Sequence, residues 1–199
     1  ISETSGLITG TVDVAYTLAT ASGGSSATAT GALSDITAFG GALVLDVAAG
    51  NLDLVDGDAS GSALYGAGNV LLQAIAGSVV LNDKADVITG TGHLTVLGAT
   101  GVEMKTGADL RSTSGTINVE SGAAVLMSDT SLITSGADLR VVGATDVTLG
   151  GLQTTANASV TASSGDIVDG GDALVDVVAA GVRFTAGTGI GAGANHIET

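Results

Sequence analysis

Three columns of apolar residues recur along this chain at a nearly constant interval, and this recurrence restricts its fold more than any other feature. The first column pairs Val70/Leu72, Leu94/Val96, Ile117/Val119, Leu139/Val141 and Val160/Ala162, at intervals of 24, 23, 22 and 21 residues. A second pairs Val79/Leu81, Val102/Met104, Val125/Met127 and Val147/Leu149, at 23, 23 and 22. A third holds Val87, Leu110 and Ile133, both intervals being 23. Members of a pair are two residues apart, so in an extended chain they point to one face.

Glycine punctuates these short runs, at Gly98, Gly101, Gly107, Gly115, Gly122, Gly136 and Gly143. No 3.6-residue apolar period is sustained, and the glycines would break a helix. Antiparallel hairpin sheets favour Asn-Gly or Asp-Gly turns. The chain has no Asn-Gly, and Asp-Gly only at Asp56-Gly57 and Asp169-Gly170. The three columns therefore predict stacked parallel coils in which each residue lies over its counterpart one turn earlier. The expected fold is an all-β parallel β-helix of about 22 residues per coil and roughly nine coils, from the repeat length and strand spacing. Its core would be a stack of aliphatic side chains.

One domain spanning residues 1–199 is expected, with clear repeats over 68–199 and less regular coils over 1–67. Leu43/Leu45, Leu52/Leu54 and Val12/Val14 read as strands of those early coils. The small polar stretch Ala19 to Ser34 reads as a loop or as a coil with a poorly filled interior. Near the other end Val175/Val177 and Val182/Phe184 still alternate, and Ile197 follows Val175 by 22. No amphipathic cap helix is legible at either terminus. The chain thus reads as a segment of a longer polypeptide or as a subunit whose copies stack end to end.

Composition agrees with a thin, regular core. Hydrophobic residues are 45% but aromatics only 2%, with no Trp, so Val, Leu, Ile and Ala must fill the interior. There are no cysteines, which excludes disulfides and thiolate metal sites. The net charge of −15 argues against nucleic acid and anionic membrane surfaces as partners. The most apolar stretch, Asn69 to Leu81, is too short and too polar to span a bilayer, so no membrane insertion is expected.

Motifs of catalysis are sparse. Gly187 to Gly193 has glycine at alternate positions, which does not fit a dinucleotide loop. His93 and His196 stand alone, His93 on an expected solvent-facing corner. Lys84, Lys105, Arg111, Arg140 and Arg183 are few for a polysaccharide-cleaving site and read as solvated surface residues. Two acidic stretches, Asp166/Asp169/Asp172/Asp176 and Asp53/Asp56/Asp58, could offer hard oxygens to calcium, but neither matches a calcium-binding β-roll repeat. Asn157-Ala158-Ser159 fits a glycosylation sequon of a kind common by chance. Leu71 and Val80 should point outward and could form a lateral contact patch. No catalytic, cofactor-binding or metal residue is assigned.

The stretches "GHLTVLGATGVEMKTGADL" and "DVTLGGLQTTANASVTASSGDI" resemble the filamentous-haemagglutinin-like repeats of giant bacterial surface proteins. The tail from Asp169 to Thr199 resembles segments of the same proteins. The resemblance lies in repeat style and covers most of residues 68–199. It implies a right-handed parallel β-helix, bacterial secretion to the cell surface or beyond, and adhesion or fibre building. The expectation is a non-enzymatic structural or adhesive extracellular module that extends a fibre by self-association, end to end or laterally. Its other partners would be a host or cell-surface glycan or protein. The alternatives are a carbohydrate-active enzyme on a β-helix and a calcium-dependent binding module.

Overall fold

The computed structural model describes residues 35–57, 62–171, 174–191 and 196–199 in full, with the backbone of strands Ser2–Glu3, Leu7–Ile8, Val12–Ala19 and Ser25–Leu33. Every regular element among them is a strand. Three parallel sheets of eight, seven and seven strands run along the molecule, and the chain visits them in rotation. One turn is typified by Leu94–Gly98 on the first sheet, Gly101–Met104 on the second and Asp109–Ser112 on the third. The expected parallel coil is thus the fold.

The register is that of the apolar columns. Leu94 pairs with Val70 below and Ile117 above. Val102 lies between Val79 and Val125, and Leu110 between Val87 and Ile133. Leu72, Leu94, Val96, Val119, Leu110 and Val141 are buried within one continuous aliphatic core. Full burial of each such side chain is worth about 1.5–3 kcal/mol. The stretch from Asn69 to Leu81 forms two successive strands, Val70–Ala74 and Ser78–Leu81.

Small residues follow from the tightness of the turns. Only Ala99 and Thr100 separate the first-sheet strand Leu94–Gly98 from the second-sheet strand that follows. A Cβ on Gly98 would run into the carbonyl oxygen of Gly101. Gly98 belongs to an inward column with Ala74, Ser121, Gly143 and Ala162. Gly98 and Gly143, which punctuate the apolar runs in sequence, are therefore inward strand ends. A second glycine stack, Gly68, Gly92 and Gly115, lies where the third sheet gives way to the first, each without room for a side chain above the turn below.

Three expectations need correction. The turns number fewer than nine. Six complete three-strand turns run from Leu43 to Val178, with an earlier turn made of Ser2–Glu3, Leu7–Ile8 and Ile36–Ala38, and a later one begun by Gly181–Ala186. The reason lies partly in the second correction. Val12–Ala19 is not a coil strand but pairs antiparallel with Ser25–Leu33, so this hairpin consumes chain between Leu7–Ile8 and Ile36–Ala38 without adding a rung. Residues 20–24 and 34 of the stretch Ala19 to Ser34 lie outside the described residues.

The third correction concerns register. Val160 pairs with Val141, not Leu139, whose partner is Ala158, so this turn advances 19 residues. Gly150 alone joins Val147–Leu149 to Gly151–Thr154, whereas four residues separate Val125–Met127 from Leu132–Ser135 in the turn below. The chain shortens at a corner and the ladder stays intact.

Candidate functional site

The surface chemistry is concentrated at the corners, in the residue just before each strand or, at Asp109, the one that opens it. On the third sheet, the N–H of Asp109 donates to Asp86 Oδ1 at 2.9 Å, and the N–H of Leu132 donates to Asp109 Oδ1 at 2.9 Å. In the same column further along, the N–H of Glu198 donates to Asp176 Oδ2 at 2.8 Å. Each carboxylate accepts from the backbone one turn above it.

The other two corners use the same device with different chemistry. Ahead of the first sheet, the N–H of His93 donates to Asn69 Oδ1 at 2.9 Å, the N–H of Thr116 to His93 Nδ1 at 3.0 Å, and the N–H of Asn157 to Asp138 Oδ1 at 3.1 Å. Ahead of the second sheet, the N–H of Ser78 donates to Asn51 Oδ1 and that of Asp166 to Asp146 Oδ1, both at 2.9 Å. An amide, an imidazole and a carboxylate are interchangeable here because the position requires only an acceptor. The corners turn the chain away from the sheet, and a side-chain acceptor satisfies backbone N–H groups there.

Inside the third corner a column of hydroxyls does the complementary work. Thr89, Ser112, Ser135 and Thr154 are buried and in register. Their hydroxyls donate to the carbonyls of Gly92, Gly92, Gly115 and Ala137 at 3.0, 2.8, 3.0 and 2.6 Å. Sequence reasoning missed this column, although Thr89, Ser112 and Ser135 recur every 23 residues, in step with the aliphatic ones.

Stacking carboxylates at half-buried corners perturbs them. Burial raises the carboxyl of Asp86 to about 6, helped by the charges of Asp109 and Asp56 and opposed by the Asp109 N–H. Burial also raises Asp109, against the Leu132 N–H and the charge of Arg111. Asp176 is pushed up to about 7, first by burial and then by the charges of Asp169 and Glu198 and a side-chain hydrogen bond with Glu198, against the Glu198 N–H. All three groups belong to the one acidic column of the third sheet.

The candidates drawn from the sequence fall into this frame. Of the first acidic stretch, Asp176 is a corner acceptor for the backbone, Asp166 takes the Thr188 hydroxyl, and Asp169 ends the strand Ile167–Asp169. Asp53 faces outward on the second sheet and Asp56 lies near Asp86. Asp58 and Asp172 lie outside the described residues. Among the described residues no three His, Asp or Glu side chains converge as metal ligands would. His93 is exposed at its corner, as expected, but is joined to the ladder; His196 is exposed elsewhere.

The basic residues are dispersed. Arg140 Nη1 on the first sheet donates to Asn118 Oδ1 at 2.7 Å and to Glu120 Oε2 at 2.8 Å, while Arg183 projects from the same sheet three strands above Asn118. Arg111 projects from the third sheet, and Lys105 Nζ donates to Asn82 Oδ1 at 2.8 Å at the corner that holds Lys84. Asn157 of the sequon has its side-chain amide donating to Asp138 Oδ1 at 3.1 Å, inside the ladder. Ala192 and Gly193, at the end of the alternating glycine stretch, lie outside the described residues.

The expected patch of Leu71 and Val80 is not available as drawn. Both point outward, but Leu71 is half-buried and Val80 only 7% exposed, flanked in its ladder by Asp53 and Glu103. Val44, Ile75 and Leu126 are exposed singly along the rod, whereas Leu174, Val175, Val178, Val182 and Ile190 are exposed together towards its C-terminal end.

No family model matches the chain, and neither does any curated protein or any solved structure.

Proposed function

We propose that this chain is a structural module that extends a bacterial extracellular or surface fibre, by stacking rung upon rung, after the manner of the filamentous-haemagglutinin-like repeats it resembles. Adhesion to a surface glycan or protein would be borne by such a fibre. The observation that carries the reading is the state of the aliphatic columns at the C-terminal end. Val182 and Ile190 continue the inward columns of Ala158 and Ile167. They are 39% and 52% exposed, whereas Ala158 and Ile167 beneath them are 2% and 0% exposed. A further turn laid over them would bury them as they bury the turn below.

Among the described residues, the strand Gly181–Ala186 has a neighbour strand on one side only. An unpaired parallel edge backed by exposed aliphatics is a template for another strand. If the covering turn belongs to a second copy, the contact is heterologous and does not close, so it propagates. Sedimentation velocity over a concentration series tests this. The wild-type chain should grow with concentration, and Val182→Lys combined with Ile190→Lys should not. A wild-type chain that stays one species at every concentration would count against self-stacking.

A further inference from the structure

The acidic column of the third sheet has a member that does more than hold a corner. Asp176 precedes the strand Val177–Val178, the last of that sheet's order. Above it lies the segment of Ile197 and Glu198. The N–H groups of Asp176 and Val177 both donate to the Glu198 carbonyl at 3.0 Å, and the Glu198 N–H donates back to Asp176. Glu198 therefore stands to Asp176 as Leu132 stands to Asp109. Ile197 packs against the core. With Gly181–Ala186 on the first sheet and Ile190 bridged to Ile167 on the second, this segment closes an eighth turn.

This closure differs from the turns below in what surrounds the acceptor. Asp176 is 3% exposed and Asp169 7%. Glu198 Oε2 is buried with no hydrogen-bond partner among the described residues. A cavity of about 360 Å³ beside Asp169 and Asp176 is also lined by Asp129, Leu132, Leu174 and Val175. The charges acting on Asp176 are those of Asp169, from the second sheet, and Glu198, from the segment itself, both negative. Asp129 faces the same cavity from two turns below, where Gly150 alone makes the intervening corner, and exposed His196 lies two residues before Glu198. Like charges gathered at a site of low polarity cannot all ionise without cost.

We propose that the segment Ile197–Glu198 is a pH-gated latch, docked as the third-sheet rung of the eighth turn while the buried Asp176 carboxyl holds its proton, and lifted when Asp176 ionises. Burial and the two neighbouring carboxylates hold the Asp176 proton to about pH 7, which places the transition near neutrality. Lifting the segment bares the N–H groups of Asp176 and Val177, the donors a following strand would need. The latch acts within one chain and does not depend on copies stacking.

Hydrogen exchange read by NMR tests it, with protection factors at Val177 and Glu198 compared with Val141 in the core. From about pH 5 to about pH 8.5, protection at Val177 and Glu198 should fall at least about tenfold relative to Val141 in the wild type, a tenfold change corresponding to one pKa unit. In Asp176→Asn, which keeps an acceptor and removes the charge, it should stay flat. Wild-type protection that does not move, or an equal fall in Asp176→Asn, would overturn the latch. Should that variant not fold, Glu198→Gln read at Val177 carries the same prediction. A carboxyl carbon titration of wild-type Asp176 in the ordinary range near about pH 4 would also overturn it.

Discussion

The N–H of Asp109 donates to Asp86 Oδ1 across one turn of the rod, and Asp109 in turn accepts from Leu132 through its own Oδ1. A carboxylate at the entry to a strand thus supplies the acceptor that the turning backbone does not. Five of the chain's 20 acidic residues are used in this way, Asp86, Asp109, Asp138, Asp146 and Asp176.

The first prediction concerns that acceptor. Asp109→Ala leaves the Leu132 N–H without its partner and should destabilise the fold by about 1–3 kcal/mol. Asp109→Asn keeps the oxygen and should cost less than half as much. Urea denaturation of both variants checks the ordering. Equal losses would mean that the charge, and not the acceptor, matters at this position.

The second concerns pH. Asp86 and Asp176 hold their protons to about 6 and about 7 in the folded chain. An unfolded Asp releases its proton near about pH 4. Between these values the folded chain binds more protons, so stability falls as pH rises. The contribution is full below about pH 4 and lost by the time pH passes about 7. The urea midpoint should therefore be higher at about pH 5 than at about pH 8. The difference should shrink in the Asp86→Asn, Asp176→Asn double variant, which removes this term and leaves general charge repulsion.

The third concerns the interior. Leu94 is fully buried in the column between Val70 and Ile117, and Leu94→Ala should cost about 2–5 kcal/mol. Thr95, its outward neighbour, should tolerate Ala within about 0.5 kcal/mol. Gly115→Ala should be as damaging as a core truncation, because the added methyl meets the backbone of Gly92, whereas Gly40→Ala has open space around it and should be neutral. Thermal melts of the four variants give the comparison.

The sequence was informative where one face of each strand is buried. Val79, Val102 and Val125 recur because the ladder forces identical environments one turn apart. It was uninformative where the backbone changes length without changing pattern. Gly150 shortens one corner, and nothing in the alternation of Val160 and Ala162 reports that their register has moved by two. Val12–Ala19 alternates like a coil strand, and alternation alone does not distinguish a parallel rung from the antiparallel hairpin it forms. The corner ladder was hidden for another reason. Asn69, His93 and Asp138 share an acceptor atom and a location, but no residue identity.

Electron microscopy of the purified chain tests the central claim, that this rod extends by adding turns to its end. The first sheet has eight strands, so copies stacked end to end would repeat at about 38 Å at the usual strand spacing. Unbranched filaments with an axial repeat near that length are expected, lost in the Val182→Lys, Ile190→Lys variant. Dispersed single particles under all conditions of pH and concentration would contradict it.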